Sequence, residues 1–320
     1  MMLRIHLDTD IGGDTDDLCA LALLLGSPEV ELVGVTTVAD TEGRRLAFAR
    51  HALKLAGRTD VPVASGAFGF LDRPQRAEPQ DARYWPGLQP QPPSPPGEAL
   101  DLLYANAQSG ATVIAIGPYT NLAVLETLRP GAFANADVVL MGGHLGVPPE
   151  PGLPQYGTEV DYNIQTDRPA ATMVFERLNA LIVPLAVTLK VCLRRSDLPA
   201  LQSGGPLARL MAIQGELHCA DNKMDRLGAA SAAVPDDILN FQYDSLACAA
   251  ALQWDCLTVK EMPLTAGQSE GYVVLNRDPG DSCAASSRMS MPTASRGVGW
   301  SQSPGSSPAS RAAAVGSANC

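Results

Sequence analysis

The chain is poor in the features that would tie it to a membrane, to nucleic acid or to a disulfide framework. No apolar run exceeds Leu18–Leu25, far short of the roughly 20 residues a helix needs to cross a bilayer. Lys and Arg number 23 against 34 Asp and Glu, a net charge of −11. That balance argues against a nucleic-acid or anionic-membrane surface. Seven cysteines, at 19, 192, 219, 248, 256, 283 and 320, include no Cys-x-x-Cys pair and are odd in number. Neither a zinc site nor a complete disulfide framework is supported, and buried free thiols in a reducing compartment are the reading that remains. The first eight residues reach Asp8 without the long apolar core of a signal peptide. The chain reads as a soluble cytoplasmic protein, and it carries no internal repeat.

What it does have is apolar substance, 46% of 320 residues, enough for a large core. Leu3–Leu7 reads as a short strand, Leu18–Leu25 as a buried helix stopped at Gly26-Ser27-Pro28, and Val30–Val38 as a second buried strand. Helical periodicity over Glu42–Ala56 and a short strand at Val61–Ala64 follow. Alternation of this kind predicts right-handed βαβ crossovers, hence an α/β fold with an open, mostly parallel β-sheet flanked by helices. From Asp72 to Gly97 the pattern lapses, with eight prolines in 26 residues; a loop of that length is usually functional or disordered. It resumes with a helix from Glu98, strands at Ala111–Ile116, Asp137–Met141 and Ala180–Leu185, and helices after Asn121, at Leu207–Leu217 and at Phe241–Leu252. From Asp278 to Cys320, 28 of 43 residues are Ser, Ala, Gly or Pro, too little apolar surface to offset ordering entropy. Residues 1–277 are therefore expected to form the folded domain, and 278–320 a low-complexity tail, disordered or out of frame.

The chemistry concentrates in Asp8-Thr9-Asp10-Ile11-Gly12-Gly13-Asp14-Thr15-Asp16-Asp17, directly after the first strand. Open α/β sheets place their ligands at this end of a strand. Five carboxylates in ten residues repel one another unless a hard cation gathers them, and paired glycines permit the tight turn this requires. A solvated acidic helix cap would explain one or two of them, not five. An EF-hand is excluded, since Gly12 takes its third ligand position and Cys19 stands where its closing Glu belongs. An Asp-x-Asp, Mg2+-dependent phosphohydrolase is a second possibility, although Gly12 departs from that motif.

The same ten residues, followed by Leu-Cys-Ala-Leu-Ala-Leu, resemble the opening signature of the inosine/uridine-preferring nucleoside hydrolases, in a variant with Ile11 for Pro and two extra residues before the last Asp pair. Further matches come in order: Val35-Thr36-Thr37-Val38, Gly117-Pro118-Tyr119-Thr120-Asn121-Leu122-Ala123, Met141-Gly142-Gly143, Asp161-Tyr162-Asn163-Ile164, Asp167-Arg168-Pro169-Ala170-Ala171 and Tyr243-Asp244-Ser245-Leu246-Ala247. Together they cover residues 3 to about 275.

The resemblance implies hydrolysis of a nucleoside's N-glycosidic bond to free base and ribose, by water attack through an oxocarbenium-like transition state. It implies Ca2+ held by the side chains of Asp10, Asp17 and Asp244 and the carbonyl of Thr120, with Asp10 as the base that activates the water. Asp16 and Asn163 would hold the ribose 2′- and 3′-hydroxyls, and Asp8 would support the ligands from behind. It also implies a homo-oligomer, a dimer or tetramer. Three substrate-facing positions depart from the usual pattern: Tyr243 stands for a His that protonates the leaving base, Asp40 for Asn, and Asp161 for a Glu that meets the 5′-hydroxyl. A His-Gly segment in the proline-rich loop is replaced by Arg83-Tyr84-Trp85-Pro86. Of four histidines, His218 is the one candidate for a replacement acid. A catalytically weak Ca2+- and ribose-binding relative is the non-enzyme alternative. The sequence does not name the base.

Overall fold

The computed structural model describes residues 2–74, 82–146, 148–277 and, for the backbone, 288–294. Strand β1 (Leu3–Thr9) leads through the acidic loop into helix α1 (Asp16–Gly26), then β2 (Val30–Thr37), α2 (Arg44–Leu55) and β3 (Val63–Ser65). After the proline-rich loop come α3 (Glu98–Gln108), β4 (Thr112–Ala115), α4 (Thr120–Leu128) and β5 (Val138–Met141). Next are α5 (Tyr162–Thr166), α6 (Arg168–Arg177), β6 (Ala180–Val183), α7 (Leu185–Thr188) and β7 (Cys192–Arg194). Then follow α8 (Leu198–Ser203), α9 (Pro206–Asn222), α10 (Met224–Ala230), β8 (Ile238–Phe241), α11 (Tyr243–Ala251), β9 (Leu257–Ser269), β10 (Tyr272–Arg277) and β11 (Arg288–Ala294).

Six strands form the parallel centre, in the order β6-β5-β4-β1-β2-β3, as expected of successive βαβ units. Their side chains are almost all buried, because helices cover both faces. Helix α1 is buried from Asp16 to Leu24. It is apolar around most of its circumference and packs against α11, so it is a core helix rather than a surface one. Two large apolar clusters result. One lies around α1, α2, α9 and α11, and the other around α3, α4 and α6. A separate antiparallel pair, β7 with β8, delivers the chain to α11.

At the far edge, seven residues of the expected tail belong to the described backbone. Beyond β6, the sheet continues through β11, β9 and β10. Backbone pairing of β11 with β9 is antiparallel from Arg288↔Pro263 to Ala294↔Leu257, and Ser290 meets Leu181 of β6. Seven residues expected to pair with nothing thus fill the gap between β6 and β9. The physical reason is backbone demand: both neighbours present ladder groups that need partners, and the composition of a segment does not prevent it from supplying N–H and C=O. The rest of the expected tail, and with it the expectation of disorder, lies outside the described residues. No helix among the described residues is long and apolar enough to cross a membrane.

Candidate active site

Seven chain segments converge at the C-terminal ends of the parallel strands: the acidic loop after β1, Arg45 of α2, Ile116 after β4, Met141 at the end of β5, the stretch 156–163 leading into α5, Leu185 at the start of α7, and the first turn of α11. They wall a cavity of about 520 Å3. Asp10, Asp14, Asp16, Asp17, Asp161 and Asp244 contribute carboxylates, Asn163 and Arg45 further polar groups, and Tyr156, Tyr162 and Tyr243 aromatic surface. Open α/β sheets bind ligands in this position.

Asp16 and Asp17 begin α1, and Asp244 lies in the first turn of α11. Because those two helices pack together, the three buried carboxylates meet, with one oxygen from each lying within 4.8 Å of the others. Burial, and then the charge of neighbouring carboxylates, pushes all three well above the usual carboxylate range. An all-oxygen donor set, buried and mutually repelling, fits a hard divalent cation. Thr9 donates its hydroxyl to Asp17 Oδ1 and takes the amide of Ile11, which fixes the start of the loop. Gly12 turns the loop at φ +133°, a region that L side chains avoid. Asp10 reaches the same cavity, packed so close to Gly117 that a Cβ there would come within 2.9 Å of Asp10 Oδ1.

Asp8 stands behind this group, fully buried at the end of β1. Its Oδ2 accepts from Thr36 Oγ1 at 2.5 Å and Asn121 Nδ2 at 2.7 Å. His6 Nε2 lies 2.9 Å from that same Thr36 hydroxyl. Burial raises Asp8 to about 7, outweighing the two hydrogen bonds, and lowers His6 to about 3. Asp161 caps α5, accepting from Gly143 N at 2.6 Å and Ile164 N at 3.4 Å, and burial raises it to about 6. Asn163 gives its amide hydrogens to the carbonyls of Ile116 and Met141, at 2.9 and 3.1 Å.

Of the residues singled out from sequence, Asp10, Asp16, Asp17, Asp161, Asn163, Tyr243 and Asp244 come together on the wall. Thr120 and Asp40 do not. Thr120, at the start of α4, turns its hydroxyl to Asp167 Oδ2 at 2.6 Å, and the wall residue from that segment is Ile116. Asp40 accepts from the amides of Arg45 and Leu46 and from the Thr37 hydroxyl, so it anchors the first turn of α2. The cluster that could hold a cation among the described residues is Asp16, Asp17 and Asp244: Asp16 was assigned only to ribose, and Asp10, expected as a ligand, lines the cavity without belonging to that cluster. His218 lies with Nδ1 3.1 Å from Asp14 Oδ1, which Asn240 also holds at 2.6 Å; His218 is not among the wall residues. Arg45, Ile116, Met141 and Tyr156 were not anticipated, and only Met141 stood in a quoted motif.

The fold and site are those of an α/β protein with a mostly parallel sheet and a buried acidic cluster in the wall of a cavity at its strand ends. The inosine-uridine preferring nucleoside hydrolase model matches residues 5–297; the chain belongs to that family and is an enzyme, a nucleoside hydrolase. Among curated relatives, a pyrimidine-specific ribonucleoside hydrolase, RihA, of Klebsiella pneumoniae is 31% identical over 250 residues, covering 74% of this chain and 78% of that protein. The RihA of Salmonella paratyphi A is 30% identical over the same shares. Among solved structures, the plant nucleoside hydrolase PpNRh1 superposes with a TM-score of 0.73 at 21% identity, covering 92% of this chain and 96% of that one. A purine-preferring ribonucleoside hydrolase from Gardnerella vaginalis gives 0.75 at 19%, covering 90% and 92%. At those identities the structural likeness speaks for the fold.

Proposed function

We propose that this enzyme is a Ca2+-dependent N-ribohydrolase that uses Asp10 to activate the attacking water. The observation that carries the reading is the buried meeting of Asp16, Asp17 and Asp244 beside Asp10 on one cavity wall. Asp10, Asp17 and Asp244 would hold the ion with Asp16 adjoining; of the segment expected to add a carbonyl, Ile116 rather than Thr120 lines the cavity. When bound, Ca2+ supplies positive charge that lowers the pKa of a water and gathers the ribose hydroxyls.

Asp10 would accept the water's proton as C1′ is attacked. Asp16 and Asn163 would orient the 2′- and 3′-hydroxyls; the amide hydrogens of Asn163 are already engaged, so it would present Oδ1 as an acceptor. Asp161 would take the 5′-hydroxyl. Asp8 keeps the loop in place from behind, tied to β2 through Thr36 and to α4 through Asn121. Tyr243 borders the base end of the cavity beside Tyr156. Burial pushes its phenol well above the ordinary range, so it stays protonated and is a poor source of protons. Asp40, holding α2, shapes the pocket without touching substrate.

Five buried free thiols among the described residues support a reducing, cytoplasmic setting, and family resemblance supports a homo-oligomer. The test measures free ribose released from a panel of purine and pyrimidine nucleosides, before and after chelation. Activity lost with chelator and restored by Ca2+ supports the reading. Full activity in metal-free protein overturns it.

A further inference from the structure

The wall of the cavity is acidic, with one exception. Among the described residues that line it, Arg45 is the only cationic side chain, against six aspartates. Its place follows from the start of α2. Asp40 Oδ1 accepts the Arg45 amide at 3.0 Å, which sets the helix entry so that the side chain runs inward beneath the acidic loop. There the guanidinium is held on two sides by backbone. Nε donates to Ala39 O at 3.1 Å and Nη1 to Ile11 O at 3.3 Å, while the same Nη1 lies 3.9 Å from Asp10 Oδ2. The side chain is only 10% exposed.

A long flexible cation on a surface would gain little from such a pair. Here the planar fork is fixed by two carbonyls from two different loops, so its charge has a defined position. On the opposite side, Gly117 packs against Asp10 Oδ1. One oxygen of Asp10 therefore faces a fixed positive charge and the other is confined by backbone, which leaves the carboxylate little freedom to rotate.

We propose that Arg45 is a positioning residue: it orients Asp10 for its work on water, and as a resident positive charge it opposes the binding of the metal ion at Asp10, Asp17 and Asp244 with adjoining Asp16. This rests on the cation site proposed above. The two effects have opposite signs, and that makes them separable. Loss of the charge should tighten Ca2+ binding, because one repulsive partner is gone. Loss of the orientation should slow turnover, because a small misplacement of a reacting group costs up to a hundredfold. A residue that merely braced the loop would, when removed, weaken Ca2+ binding and turnover together.

The experiment titrates Ca2+ into chelated, full-length wild type, Arg45→Met and Arg45→Lys by calorimetry, and measures kcat and KM for nucleoside hydrolysis at saturating Ca2+. Arg45→Met is expected to bind Ca2+ roughly tenfold more tightly and to lose about 10- to 100-fold in kcat, with KM changed less than about threefold. Arg45→Lys keeps the charge and loses the fork. It should bind Ca2+ within about threefold of wild type and have an intermediate kcat. Thermal unfolding checks each variant, and Arg45→Gln serves as the neutral variant where Arg45→Met does not fold. A neutral variant with kcat within about twofold of wild type, or with weaker Ca2+ binding, overturns the role; so does Arg45→Lys binding Ca2+ as tightly as Arg45→Met. Wild type that binds no Ca2+ overturns the cation site itself, and is recognised before any variant is compared.

Discussion

In the proposed mechanism Asp10 serves the attacking water and Tyr243 borders the departing base, and each makes a prediction. Asp10→Asn keeps the shape of the side chain and removes its ability to take a proton. It should lower kcat by roughly a hundredfold or more while leaving the thermal midpoint nearly unchanged; a variant that retains most of its turnover would remove Asp10 from the role of base. Tyr243 offers a phenol that burial holds firmly protonated, and the wall includes no histidine among the described residues. Departure of the base should therefore depend on the base itself. Nitrophenyl riboside, whose leaving group needs no proton, should be cleaved much faster than inosine or uridine. Equal efficiency on both would reveal an acid, and His218→Ala, through the His218–Asp14 contact, would be the first variant to test. The acids were legible in the sequence because they crowd ten residues after a strand, a density that structural needs do not explain. Arg45 and Ile116 were not. Arg45 reads as an ordinary first-turn residue of α2, and only the tertiary path of its side chain carries it under the loop. Ile116 is an apolar strand-end residue that reaches the wall through the fold alone.

At the scale of elements, the parallel centre could be read because each strand is a continuous apolar run bounded by helical periodicity, and the observed bounds of β1 to β6 fall within a residue or two of expectation. The short pair β7 and β8 has no such signal. Three or four residues each give too little pattern, and their pairing spans some 45 residues of intervening helices. Strand β9 alternates poorly, with most of its residues exposed or half-buried, so a thirteen-residue strand passed unnoticed. Strand β11 was missed for a different reason: it enters the sheet through backbone pairing in a segment whose composition suggests no structure. Its position gives a prediction about truncation. A chain ended after Arg277 leaves β6 and β9 with unpaired edges, a template for aggregation, whereas one ended after Ala294 keeps every described strand. The shorter chain should show a lower thermal midpoint and aggregate in size-exclusion chromatography; the longer one should behave as the full chain does. If the two truncations are indistinguishable, β11 contributes nothing to the fold.

For the whole molecule, the buried acids set a pH dependence that Ca2+ should reverse. Asp8 is raised to about 7 and Asp16, Asp17 and Asp244 well above the ordinary value, in each case chiefly by burial. A carboxyl raised on folding holds its proton in the native state where the unfolded chain has lost it, so stability falls as pH rises through the folded pKa. Histidines lowered on folding act in the other sense. His6, lowered to about 3, with His51 and His144 lowered less, adds stability as pH rises toward the unfolded value of 6.5, and nothing further above it. Below pH 6.5 the two groups oppose each other; above it only the carboxyls still change. Metal-free protein should therefore lose stability between about pH 6.5 and 8, with the thermal midpoint falling by about 4 °C or more, roughly 1–2 kcal/mol for a chain of this size. At the proposed site saturating Ca2+ would bind the ionised carboxylates of the native state alone, so its stabilisation should grow over the same interval and flatten or invert the slope. Scanning calorimetry at half-unit pH steps, with chelator and with Ca2+, distinguishes the cases. A metal-free midpoint that rises from pH 6.5 to 8, or a Ca2+ increment that shrinks across it, would mean that the buried cluster is already neutralised by groups other than a cation.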